Sequence, residues 1–203
     1  MALCPGELTQ MQIEEVLASV TPSWSFEGVD GDVWDAVLDE VKAGKFPVDA
    51  AKFFDGFSLI HLAAQQNNVL VICALQKLGA DMHKTTCAGL TPMHCCALSN
   101  FEDFEDTCTE HVHALTLLSI DNLVCGDVAG STPLDYATEA NNKDAVRWML
   151  QQPTCTAEMK ARARAQIPMR LGKKPQAMTA VFEEDRRWSS LRSGWLAAVV
   201  MAP

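Results

Sequence analysis

A 33-residue echo constrains this chain more than any other feature. The segment DGFSLIHLAAQQNN, residues 55–68, returns as AGLTPMHCCALSN, residues 88–100, with His61 and His94 33 positions apart, Gly56 matched by Gly89, Ser58 by Thr91 and Ala64 by Ala97. A third copy, AGSTPLDYATEANN at 129–142, keeps Gly130, Thr132, Pro133, Leu134 and Ala137 in the same register but lies 41 positions after the second. Such periodicity makes local residue choices parts of one structural unit before any chemistry is invoked.

Each copy carries the same local grammar. Thr91 and Thr132 suit the cap of a helix, their hydroxyls placed to accept from unpaired N–H groups. Pro92 and Pro133 follow at the first helical position, where a missing N–H costs nothing. The glycine two residues before each cap suits a tight turn with positive φ. A second segment with apolar residues at helical spacing follows in every copy, at 69–78, 110–118 and 143–152. Gly79 stands where a glycine closes the first of these helices. The unit is turn, helix, turn, helix.

Together these residues resemble the ankyrin repeat, a β-turn followed by T-P-L-H-x-A and two antiparallel helices with a period of about 33. The resemblance covers residues 54–153. It implies an all-α fold: an ankyrin-repeat solenoid of stacked helix-turn-helix pairs with β-turn or hairpin connections, flanked by helical N- and C-terminal extensions. It implies structural roles for the motif residues His61, Thr91, Pro92, His94, Thr132 and Pro133, the histidine bonding to turn backbone. Three departures stand out. The first copy reads Ser-Leu-Ile-His without the proline, the third has Asp135 in place of histidine, and the second closes with SIDNL where the first has LGADM.

Upstream, DGDVWDAVLDEVKAG at 30–44 places Val33, Trp34, Val37, Leu38 and Val41 on one side of a helix, and FPVDAAKFFDG then imitates the turn between repeats. Residues 1–53 are expected to hold a helix near 7–19 and a capping half-repeat, because a solenoid end left uncapped exposes its stacking face. Residues 54–153 are expected to hold about three repeats, the second enlarged by an insertion within 99–109. Residues 154–203 read as a basic tail with one or two helices. The first covers 154–166 and is ended by Pro168; the second uses Phe182, Trp188, Leu191 and Trp195 as apolar anchors.

The window LTPMHCCALSNFEDFEDTCTEHVH, residues 90–113, crowds His94, Cys95, Cys96, Cys108, His111 and His113 together. The repeat register explains most of it: Cys95 and Cys96 take the core positions that Leu62 and Ala63 take in the first copy. A zinc site built from Cys108, His111 and Cys87 or Cys125 matches no familiar ligand spacing. A metal-binding or thiol-redox protein using the Cys/His-rich second repeat is the alternative reading, with Cys4, Cys108 and Cys155 as the thiols outside the expected core. No P-loop, G-x-S-x-G elbow, H-E-x-x-H or dinucleotide fingerprint occurs, so no catalytic residue, metal or cofactor is assigned and the chain is read as a non-enzyme.

Charge divides the chain. Residues 1–153 carry 22 acidic and 7 basic side chains, residues 154–203 carry 4 and 9, and the whole has a formal net charge of -10. An acidic body repels nucleic-acid phosphates and anionic membrane, so nucleic acid is not an expected partner. The basic tail suits docking on the acidic body or on a protein partner better than a peripheral membrane contact through the apolar C-terminus. Eight cysteines without a paired framework suit a reducing, cytoplasmic setting.

The expected function is non-catalytic protein–protein interaction, as an adaptor or an accessory subunit of a larger assembly. What the resemblance implies places the contact on the turn tips Phe54, Asp55, Phe57, Leu90, Val128 and Ser131 and on the inner-helix positions Gln65, Gln66 and Ser99. Phe101 and Phe104, set among carboxylates in the insertion, and Trp188 and Trp195 in the tail complete the expected partner-binding set.

Overall fold

A computed structural model describes residues 9–20, 31–99, 108–170 and 176–187. Its elements are α1 (Gln10–Ser19), α2 (Gly31–Lys42), α3 (Leu59–Gln65), α4 (Val69–Lys77), α5 (Pro92–Leu98), α6 (Cys108–Leu117), a 3-10 turn (Ile120–Val124), α7 (Pro133–Glu139), α8 (Lys143–Leu150) and α9 (Ala157–Arg170). A further helix, α10, covers 176–187. Among the described residues the only β-type pairing outside helices is an isolated antiparallel bridge, Ala51 with Ser58.

The helices stack in two rows. The inner row runs α3, α5, α7, α9 and the outer row α2, α4, α6, α8, with α3 on α4, α5 on α6 and α7 on α8 closing each pair. The inner helices α3, α5 and α7 are short and almost wholly buried, since they are covered on both sides: Leu59 to Ala64 of α3 and Pro92 to Ala97 of α5 are all buried. Small residues at Ala63, Ala64, Ala97 and Ala137 let neighbouring inner helices approach closely. The outer helices are amphipathic, burying Val71, Ile72 and Leu75 in α4 and Ala145, Val146, Met149 and Leu150 in α8.

The inner helices α3, α5 and α7 each begin in a reciprocal capping box, in which Ser58, Thr91 and Thr132 pair with the third residue of the helix, His61, His94 and Asp135. The turn into the outer helix is made by adjacent asparagines. Asn67 and Asn141 take left-handed φ of 53° and 58°, which asparagine tolerates better than other non-glycine residues, and Asn68 and Asn142 cap α4 and α8 with their side chains.

The N-terminal end is sealed by α1 and α2. Thr9 caps α1 in a box with Gln12. Trp34 of α2 is buried and donates from Nε1 to Gln66 Oε1 at 2.9 Å, while Gln66 Nε2 donates to the Val20 carbonyl at 2.8 Å. One glutamine thus ties both leading helices to the first repeat.

Three expectations drawn from the sequence do not hold. The helix expected over 154–166 and ended by Pro168 instead runs Ala157–Arg170: a proline this close to the C-terminus forfeits one backbone bond, and buried Met159, Ala163 and Ile167 hold the helix through its final turns. Ser99, expected to be exposed, is buried, its hydroxyl donating to the Gln65 carbonyl. The second-repeat outer helix opens at Cys108 instead of Glu110, which leaves residues 99–107 between α5 and α6 where residues 66–68 join α3 to α4.

The third repeat ends the stack differently from the first two. Asp135, buried on α7, accepts from Thr132 N–H at 2.7 Å, from Arg162 Nε of α9 at 3.3 Å and from Gln166 Nε2 at 3.2 Å. Arg162 Nη2 also pairs with its Oδ2. Arg162→Met is expected to cost on the order of 2 kcal/mol, because it leaves a buried carboxylate with its neutral donors but without its cation. Hydrogen exchange should localise the loss of protection to α7 and α9, leaving α3 and α4 unchanged.

Candidate interaction surface

The surface is built on the turns that precede α3, α5 and α7. Neighbouring turns are bonded backbone to backbone: Cys87 N–H donates to the Asp55 carbonyl at 2.9 Å and Val128 N–H to the Ala88 carbonyl at 3.0 Å. Gly56 and Gly89 make that approach possible. Gly56 has φ of 75°, and a Cβ there would stand 2.8 Å from Cys87 N. Gly130 has φ of 79° but faces open space among the described residues.

Histidine bridges one repeat to the next. His61 Nδ1 lies 3.3 Å from Ser58 N and 2.9 Å from its hydroxyl, and Nε2 lies 3.1 Å from the Leu90 carbonyl of the following turn. His94 repeats this with Thr91 at 3.1 and 2.9 Å and the Ser131 carbonyl at 3.0 Å. A backbone N–H facing Nδ1 and a carbonyl facing Nε2 fix the neutral tautomer with hydrogen on Nε2. Burial lowers the pKa of His61 to about 4 against the upward pull of the Leu90 carbonyl, and burial lowers that of His94 in the same direction. The third turn is held from within by a carboxylate: Asp127 Oδ1 accepts from Ala129 and Ser131 N–H and Oδ2 from the Tyr136 hydroxyl at 2.7 Å. Burial pushes the Asp127 carboxyl up, but the Tyr136 hydroxyl and the two amides outweigh it and hold the group below the usual range.

On this frame the residues expected to meet a partner divide into two kinds. Phe54 and Val128 project with 88% and 79% of their surface open, and Phe53, absent from the set expected from the sequence, is 70% exposed and stacks edge-on to Phe54 at 5.2 Å. Asp55 and Gln65 are exposed. Phe57 and Leu90 are half-buried: Phe57 packs edge-on to His61 at 5.7 Å, and Leu90 takes the Thr86 hydroxyl on its N–H at 3.1 Å. Ser131 is half-buried with both backbone groups bonded, and the Gln66 amide is occupied by Trp34 and Val20. Phe101, Phe104, Trp188 and Trp195 lie outside the described residues. The exposure of Phe53 was not legible in the sequence, since its turn is joined to α1 through the Phe53 N–H donating to the Glu14 carboxylate, a partner 39 positions away.

The thiols follow the repeat. Cys95 and Cys96 are inaccessible in α5; burial raises Cys95 to about 12 and Cys96 further, so neither is a thiolate at neutral pH. Cys155, expected outside the core, is buried, and burial raises it to about 11. This corrects its place among reactive candidates. Cys87 is exposed at a turn tip. Among the described residues no three His, Cys, Asp or Glu side chains converge to hold a metal ion, and no helix is long and apolar enough to cross a membrane.

The repeating turns, the histidine bridges and the two helical rows define a class of interaction solenoid. The family model described as ankyrin repeats, in three copies, matches residues 60–162, half of the chain, and the protein belongs to the ankyrin-repeat family. Members of that family generally serve as protein–protein interaction modules and are typically non-catalytic. No curated protein matches the chain.

Two outcomes follow from the turn geometry. Gly130→Ala is expected to cost about 1 kcal/mol for the positive φ alone, and Gly56→Ala about 1 to 3 kcal/mol more for the collision with Cys87, read from urea unfolding. His61 has a folded pKa below its unfolded value, so its contribution is complete above about 6.5 and is lost as pH falls towards about 4. The stability advantage of wild type over His61→Gln should shrink by on the order of 3 kcal/mol between those limits.

Proposed function

We propose that this protein is a non-catalytic protein–protein interaction module acting as an adaptor or accessory subunit of a larger assembly. The turn tips carry the contact. The observation that supports this reading is the pairing of rigid backbone with uncovered apolar side chains: Phe54 and Val128 stand open on turns whose backbone is held by neighbouring turns. A rigid turn that presents an aromatic ring loses little conformational entropy when a partner covers it.

Phe53 and Asp55 join Phe54 at the first tip, and Gln65 extends the surface along α3. Phe57, Leu90 and Ser131 support the tips from beneath and contribute their exposed edges. The C-terminal extension adds a second contact region. A reducing, cytoplasmic setting fits a chain whose buried Cys95 and Cys96 are free thiols.

The test is a double substitution, Phe54→Ser with Val128→Ser. Both side chains are already solvated, so circular dichroism and the melting temperature should be unchanged within about 2 °C. Capture of the native partner by the immobilised chain should fall at least about tenfold. Undiminished capture by a folded variant sinks the turn-tip surface. In native extract the chain should migrate in a species larger than its own 22.2 kDa.

A further inference from the structure

Among the described residues the inner row of helices ends at α9, and no further inner helix covers its last face. Met159, Ala163 and Ile167 of α9 are buried, and Arg162 and Gln166 reach Asp135 of α7. Ala157, Ala161 and Ala165 lie on the opposite side of α9 and are exposed. With Phe182 of α10 they line a cavity of about 790 Å³. A solenoid normally finishes in a polar outer face. Among the described residues this one presents a largely apolar groove.

The rim of the groove carries three cations, Lys160, Arg164 and Arg186, against one carboxylate, Asp185. Lys160 is already engaged, donating to the Leu150 carbonyl at 2.8 Å and lying 2.9 Å from Asp185 Oδ2. Arg164 and Arg186 also line it, and no carboxylate of the described residues pairs with either. Two guanidinium groups beside an apolar floor select an occupant that carries both carboxylates and apolar side chains.

We propose that this groove receives an acidic amphipathic helix from a protein partner, stacked on α9 as the next member of the inner row. The proposal rests on the interaction reading above and names the class of partner for the C-terminal end. Continuity of the row argues for a helix: α5 covers α3, α7 covers α5 and α9 covers α7, each across small side chains. The three alanines repeat every fourth residue and span about 12 Å of helix, a floor that admits close approach by about two to three turns of a partner. The unpaired arginines supply the sign, since carboxylates flanking the apolar stripe would meet them.

The probe is a synthetic peptide with the sequence of residues 31–42, GDVWDAVLDEVK, in which an apolar stripe is edged by Asp32, Asp35, Asp39 and Glu40. Labelled and titrated with the full chain, it is expected to give saturable anisotropy that a scrambled peptide does not. Binding should weaken at least about tenfold in Arg164→Glu with Arg186→Glu, and also when salt rises from about 0.05 to about 0.5 M. Ala161→Trp, which fills the floor, should abolish it. The turn-tip variant Phe54→Ser with Val128→Ser should bind the peptide as wild type does, so failure at the tips and failure at the groove are read separately. No binding, or equal binding to every variant, overturns the proposal. Concentration-dependent self-association removed by the arginine reversals would give the groove to a second copy and overturn it. Peptide binding that appears only in Trp195→Ala with Leu196→Ala would give it to the chain's own C-terminal segment and overturn it equally.

Discussion

The bond on which the rest of the structure depends is the one from a buried histidine ring to the carbonyl of the next turn. A single turn-helix-turn-helix unit is too small to bury its own faces, so its stability comes from its neighbours. His61 and His94 convert that dependence into register. One nitrogen completes the cap of its own helix and the other holds the following turn, so cap, turn and stacking distance are set by one planar group. The direct backbone bonds between turns then fix the tips, and the glycines beneath them keep the spacing short. A net contribution of about 1 kcal/mol for each such bond is modest. Its structural consequence is larger, because a slip in one turn would break the caps on both sides.

The two ends handle their missing neighbours in different ways. At the N-terminal end a tryptophan and a glutamine join α1, α2 and α3, giving a buried indole a polar partner and closing the face with apolar bulk. At the C-terminal end the bridging histidine is replaced by Asp135, which meets a cation and an amide from α9 instead of a carbonyl. The change of residue follows from the change of partner: a carbonyl needs a donor opposite it, whereas an arginine needs an acceptor. The basic helix is thereby joined to the acidic body through a buried carboxylate and through the Lys160 bond to the Leu150 carbonyl, and beyond that the inner row has no further cover among the described residues.

Much of this was legible in the sequence. The period, the Ser or Thr caps, the prolines and the histidines each answer to a local rule, so the stacked pairs and the core placement of Cys95 and Cys96 could be read without coordinates. Other features rest on partners far along the chain. The burial of Ser99 depends on the Gln65 carbonyl, the occupation of Gln66 on Trp34 and Val20, and the burial of Cys155 on the packing of α9. Pro168 misled because a local breaker rule was applied to a helix whose last turns are held by tertiary contacts. The role of the paired asparagines was visible as residues but not as geometry, since nothing in the letters distinguishes a left-handed turn from a solvated loop. Exposure at the turn tips is likewise a property of neighbours: Phe54 and Phe57 look alike in sequence, and only one is uncovered.

Asp135 also limits how the array can grow. A unit carrying histidine at that position can be followed by any turn that offers a carbonyl, so duplication of the first or second unit yields a chain whose joints still match. A copy of the third unit placed after itself would set a carboxylate against a carbonyl, two acceptors with no hydrogen between them, and would leave Arg162 joined only to the last copy. Repeating either of the first two units therefore preserves the joint, whereas repeating the third mismatches it.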